Sequence, residues 1–246
     1  MDQPFLTTTF STLLGGLPLT LQLFALSVVS GGLLAVLLVW MRQSGPLPFR
    51  WLYNAFVFVF RGTPLLIQLF LIYYGLSQFP DVRSSLLWPF LRDPFWCSVL
   101  ALALNTAAYS SEIFRGALLA VPRGQVEAAR ACGMSELQVF RSVVFPVSLR
   151  LTLPPYASEV ILMTKATALA SIVTLNEVMF LAQKLSVLTY RAIEVLLCAG
   201  VIYLVLNIII ARAFSWLEHR LSPYERPAVG LGQSALGLRP ELEVAR

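Results

Sequence analysis

Residues 127–146 read EAARACGMSELQVFRSVVFP, a charged, helix-prone stretch inside a chain of 246 residues that is 57% hydrophobic. Its local design is legible residue by residue. Pro122 suits the first turn of a helix, where its missing N–H costs nothing. Gly133 suits the position just past a helix end, where a positive φ is cheap for glycine. Ser135 stands three residues before Gln138, the spacing at which a cap hydroxyl and an amide side chain satisfy each other's backbone donors. Pro146 is expected to interrupt the pattern before the next apolar run. The stretch predicts a short helix, a glycine corner and a second short helix. In so apolar a chain, such an island faces water or another protein.

Only 13% of residues are charged, about half the share usual in soluble domains, and mean hydropathy is +0.74. These values predict an all-α membrane protein. Apolar runs near 17–41, 54–76, 95–117, 149–174 and 193–217 each approach the roughly 20 residues that cross a hydrocarbon core as a helix, which gives about five transmembrane helices. The 18 Lys and Arg outnumber the 13 acids, but they scatter among apolar runs without forming a basic patch, so nucleic acid is not an expected partner and the lipid bilayer is. Cys97, Cys132 and Cys198 lie far apart without CxxC spacing, and His219 stands alone beside the last span. Neither a metal site nor any cofactor is expected.

Charge also orients the spans. Arg42 and Arg50 sit between the first two, Arg123, Arg130 and Arg141 between the third and fourth, and His219, Arg220 and Arg226 follow the last. The other connections, near 77–94 and 175–192, balance their cations with Asp81, Asp93 and Glu177. By the Lys/Arg loop bias the N-terminus lies outside and the C-terminus in the cytoplasm, which places 127–146 on the cytoplasmic side. With no Lys or Arg in its first ten residues, the chain lacks the charged start of a cleavable signal and is expected to keep its first span. Residues 1–221 read as one transmembrane domain, and 222–246, rich in Pro, Gly and small polar residues, as a flexible cytoplasmic tail.

Glu127, Ala128, Ala129, Gly133 and Pro146 resemble the EAA loop of permeases from binding-protein-dependent ABC importers, with Val143 and Phe145 where that family usually carries Ile and Leu. FRGTPLLIQLFLIYYG (60–75), LNTAAYSSEIFRGAL (104–118) and SEVILMTKATALAS (158–171) are similar to the polar amino acid permeases. The third of these is most similar to the M-type subunits that serve histidine, other basic amino acids and opines. The resemblance covers roughly residues 15–225. It implies a cytoplasmic coupling-helix loop in which Glu127, Ala128, Ala129, Gly133, Met134 and Ser135 dock on an ABC ATPase subunit. It also implies a second permease subunit, identical or homologous, and a periplasmic substrate-binding protein. The protein would reside in the bacterial inner membrane and import a polar amino acid, basic ones or opines favoured, by alternating access. The chain holds no G-x-x-x-x-G-K-[ST] phosphate loop and no Gly-Lys dipeptide, so it is not expected to be the ATPase; the resemblance implies a transport subunit without catalytic residues, with ATP hydrolysis on a separate chain.

Ionisable groups inside spans are costly and point to cavities or partners. Glu159 and Lys165 both fall in the fourth span, six residues and hence about 120° apart on a helix, so each needs a partner other than its neighbour. Glu159 is expected either to meet a cationic substrate side chain or to form a structural pair with another helix. After Lys165 the resembling family often reads Asp-Thr-Ser, whereas this chain has Ala166, Thr167 and Ala168. Asn105, Thr106 and Tyr109 on the third span and Thr63 and Gln68 on the second are candidates for lining a pathway or for gluing helices together, with glue favoured for Gln68. Pro64 should break the helix ladder and leave carbonyls in need of partners. Arg61 and Arg115 are expected to extend to the headgroups. Two rival classes remain open at this point, a secondary transporter drawing on an ion gradient and a non-transporting membrane scaffold.

Overall fold

The computed structural model describes residues 3–221; the tail expected at 222–246 lies outside them. Among the described residues every regular element is helical. The chain begins with α1 (Gln3–Leu14), turns at Gly15 and Gly16, and continues as α2 (Leu17–Ser44). Then come α3 (Leu47–Gly62), α4 (Leu65–Phe70, extended by a π turn and a 3-10 turn to Gln78), and the short α5 (Pro80–Arg83) and α6 (Trp88–Leu91). The second half holds α7 (Pro94–Leu119), α8 (Arg123–Ala131), α9 (Glu136–Val139), α10 (Phe145–Ala166, followed by a 3-10 segment to Val173), α11 (Val178–Thr189) and α12 (Ala192–Leu221).

Each of the five expected spans is largely helical, but they are not equal. Gln3–Ser44, Glu136–Val173 and Ala192–Leu221 are long and apolar enough to cross a membrane, and a fourth crossing exists if Leu47–Gly62 and Leu65–Gln78 count as one span bent by 106°. The expected second span is thus broken at Gly62–Thr63–Pro64. Proline accounts for this: Pro64 cannot donate to the ladder, and the residue before it is pushed to extended backbone, as Thr63 is at φ −115° and ψ 143°. The third expected span, α7, is long enough at 26 residues, about 39 Å, yet falls short in apolarity because Ser98, Asn105, Thr106, Ser110 and Ser111 lie along it. Half of its residues are buried, these five included. A helix surrounded by protein is freed from matching the hydrocarbon.

The most extensive helix pair is α2 with α7, and three of the four buried clusters contain an α7 residue: Val99 with Leu23 and Ala170, Ala107 with Leu38 and Tyr53, Ala101 with Leu69 and Val173. The close approach depends on Gly31, where an added Cβ would stand 2.8 Å from Thr106 Cβ and 2.9 Å from the Ala103 carbonyl oxygen. The fourth cluster joins α1, α11 and α12 through Leu13, Val178, Val195 and Ile202. Here the fully buried Glu177 caps α11, accepting from Met179 N (2.9 Å) and Phe180 N (2.8 Å), and takes the Tyr203 hydroxyl at 2.7 Å. Sequence had assigned 175–192 to a plain connection, whereas α11 is a 12-residue helix packed on α12. Outward, Val29, Leu33, Trp40 and Phe58 are largely exposed, the expected dress of surfaces that face lipid tails.

Candidate functional site

The break in the bent span opens a cavity of about 470 Å³ between the ends of α3 and α4, α7 and α10. Thr63, Asn105, Tyr109 and Glu159, four of the six residues singled out as pathway candidates, line it together. The other two do not. Thr106 is fully buried against Gly31 in the α2–α7 contact, one helical step of about 100° from Asn105. Lys165 is exposed and outside the lining, on a different face of α10 from Glu159.

Glu159 is 8% exposed. Among the described residues it forms no ion pair within 4.0 Å; the carboxylates so engaged include Glu112, Glu136 and Glu194. The cavity also holds a residue whose role sequence reasoning missed. Arg61, expected to reach the headgroups, lines the cavity with its guanidinium 5.1 Å from the centre of the Tyr109 ring, a cation–π arrangement. The 106° bend accounts for the difference, because it ends α3 one residue after Arg61 and turns that end toward α7. Arg115 is partly exposed and pairs with Glu112 at 2.6 Å. Glu112 in turn accepts the Tyr53 hydroxyl at 2.5 Å and so ties α3 to α7.

Polar side chains occupy the carbonyls freed at the break. The Gln68 amide nitrogen donates to the carbonyl oxygens of Phe60 (2.8 Å) and Thr63 (3.0 Å) and to Thr63 Oγ1 (2.9 Å). The Asn105 amide donates to the Phe60 carbonyl oxygen (3.3 Å) and to Gln68 Oε1 (3.2 Å). Asn105 therefore both lines the cavity and binds the broken span.

Beyond the C-terminal end of α7 lies the charged loop. Gly133 takes φ +81°, and two hydrogen bonds close the end of α8: Gly133 N to the Arg130 carbonyl (2.9 Å) and Met134 N to the Ala129 carbonyl (3.3 Å). This is the double closure that a left-handed glycine permits. Ser135 and Gln138 form the expected reciprocal cap, at 2.8 Å from Ser135 N to Gln138 Oε1 and 3.4 Å from Gln138 N to Ser135 Oγ. Arg130 reaches across the corner to Glu136 with two parallel bonds of 2.9 Å; these bonds raise the guanidinium pKa above its ordinary value. Glu127, Ala128, Gly133, Met134 and Ser135 are exposed, while Ala129 is buried and packs the loop on the protein. Two details depart from expectation. Pro122 sits at the cap before α8 instead of inside its first turn. Pro146 does not interrupt the chain, because a π turn over Phe140–Val144 leads directly into α10 and widens the backbone where the ring would crowd the preceding turn.

With this geometry in view, the kinship of the chain is clear. It is 55% identical over 229 residues to the octopine transport system permease protein OccM of Rhizobium radiobacter, covering 92% of both chains. It is 41% identical to the histidine/lysine/arginine/ornithine transport system permease protein HisM of Salmonella typhimurium, covering 83% of this chain and 89% of that one. The crystal structure of an amino acid ABC transporter with histidines superposes with a TM-score of 0.79 at 32% identity, over 89% of this chain and 99% of that one. These kinships set aside the secondary-transporter and scaffold alternatives. Residues 27–223 match the family described as the binding-protein-dependent transport system inner membrane component, and the chain belongs to that family of multi-pass inner-membrane permeases.

Proposed function

We propose that this subunit forms part of the pathway by which a cationic amino acid, or an opine built on one, enters the cytoplasm. The observation that carries the reading is Glu159, a buried carboxylate on a cavity wall without an ion-pair partner among the described residues. A buried carboxylate without a direct ion pair is expensive even with Arg61 on the same lining, and a cationic cargo side chain supplies a counter-charge in contact. Arg61 on the same lining offers a positive group to the cargo carboxylate, and Thr63 and Tyr109 offer hydroxyls. The names of the octopine and histidine/lysine/arginine/ornithine relatives support this cargo class.

In this reading the exposed side of the loop, with Glu127, Ala128, Gly133, Met134 and Ser135, docks on a separate ATPase subunit, and Ala129 anchors it from within. The subunit works beside a second permease and receives cargo from a periplasmic binding protein. The N-terminus is periplasmic and the C-terminus cytoplasmic, an orientation supported by Arg42, Arg50, Arg123, Arg130 and Arg141 in the connections assigned to the cytoplasm. The test is uptake of a panel of labelled amino acids by vesicles holding the four components, with and without internal ATP. ATP-dependent uptake of arginine-like compounds in preference to neutral ones is the expected result. Equal uptake of both classes would remove the cationic assignment, and uptake without ATP would remove the importer mechanism.

A further inference from the structure

We infer that Gln68 is a positioning residue for transport: its amide splints the broken span and thereby sets the shape of the cavity, without lining the cavity itself. The inference rests on the pathway reading above. Gln68 is 6% exposed and absent from the lining, yet its four contacts bridge everything that forms this wall. Its nitrogen takes up the Phe60 and Thr63 carbonyls at the end of α3, and its Oε1 accepts from Asn105 on α7. The residue itself belongs to α4. One side chain thus joins both halves of the bent span to the central helix.

The chemistry requires an amide. At a 106° break the last carbonyls of α3 have lost their ladder donors, and in a membrane interior water is scarce, so protein donors must replace them. A carboxylate in place of the amide would repel those carbonyls, and a leucine would fill the space but leave them unpaired. Either change leaves the break without its fixed angle. Thr63 and Arg61, which lie within the broken turn, would then lose their placement on the cavity wall.

The experiment uses the full chain with its partner subunits in lipid nanodiscs, the native cysteines replaced, and spin labels at Phe58 and Leu71, exposed residues on either side of the break. The variants are Gln68→Leu, Gln68→Asn, Asn105→Gln and the exchange Gln68→Asn/Asn105→Gln, which moves one methylene from one amide to the other. Gln68→Leu is expected to broaden the label-to-label distance distribution and to raise KM for labelled arginine uptake by about tenfold, the order set by leaving buried carbonyls unpaired. The exchange is expected to narrow the distribution again and recover most of the KM. A wild-type distribution in Gln68→Leu overturns the inference, whether or not uptake falls. A broadened distribution with unchanged KM overturns it too, since the splint would then not govern the cavity. If the parent assembly fails to show ATP-dependent uptake, the importer reading fails separately, and the distance measurement still decides whether Gln68 fixes the break.

Discussion

Replacing Gly133 separates the backbone requirement of the loop from its docking role. At φ +81° an L-residue sits in the left-handed region, at a cost of about 1–2 kcal/mol. A Cβ added there meets nothing within 4 Å, so the chain adds no steric penalty to that conformational one. Gly133→Ala and Gly133→Arg therefore share the same backbone cost, worth about a fivefold to thirtyfold shift in how often the corner is correctly formed. The arginine additionally projects a long cation from a surface that also presents Met134 and Leu137, 40% and 74% exposed. Binding of the purified ATPase to nanodisc-embedded permease is expected to weaken by about fivefold to thirtyfold in Gly133→Ala. In Gly133→Arg a further loss of at least about tenfold is expected, equivalent to about 1.4 kcal/mol of blocked contact. Membrane insertion should be unchanged in both. Equal ATPase affinity in the two variants would refute the reasoning, because the entire effect would then be backbone strain and the surface around Gly133 would not be where the partner sits.

Two further changes probe the cavity and its scaffold. Glu159→Gln removes the charge and keeps the shape, so uptake of arginine-like cargo should fall by about tenfold or more while any neutral cargo is transported as before; parallel losses for both classes in the vesicle assay would take Glu159 out of cargo recognition. Gly31→Ala should push α2 from α7, because the new methyl would lie 2.8–2.9 Å from Thr106 and the Ala103 carbonyl. A loss of about 1–3 kcal/mol is expected for such overpacking, and unchanged thermal stability in detergent would show that the helix pair yields more easily than its spacing suggests.

How far the sequence could be read depended on how local the cause was. The loop was legible because its causes are local: a glycine at a helix end, a serine three residues before a glutamine, each acting within one turn. Pro64 announced the break for the same reason, and the freed carbonyls it predicted are the ones Gln68 and Asn105 serve. The angle of the break was not legible, and so Arg61 was assigned to the headgroups although it faces the cavity. Thr106 and Asn105 are adjacent polar residues that sequence cannot rank, since only the packing of α2 decides which one is sealed against Gly31. Ala129 carried a family resemblance to the docking set, yet its methyl is turned inward. Burial of this kind is set by tertiary packing, which selects among side chains of similar chemistry and leaves no local mark in the sequence.

The positions of cavity and loop along α7 suggest how one can act on the other. Asn105 and Tyr109 line the cavity in the middle of this helix, and α8 starts four residues after its end at Leu119. A continuous helix transmits displacement along its axis with little loss, because every turn is hydrogen bonded to the next. α3 cannot stay behind, since the Tyr53–Glu112 bond and the Arg61–Tyr109 contact fasten it to α7 at two levels. A shift of the loop would thus carry the α7 wall and the α3 end of the cavity as one body. The remaining wall is α10, which bears Glu159, packs on α7 through contacts that include the Phe114–Tyr156 ring pair, and joins the loop through the π turn at Phe140–Val144. The loop is thus linked to one cavity wall through α7 and to the other through a widened turn, and these two walls set the separation of Arg61 and Glu159. That separation is the distance a bound zwitterion with a cationic tail would sense.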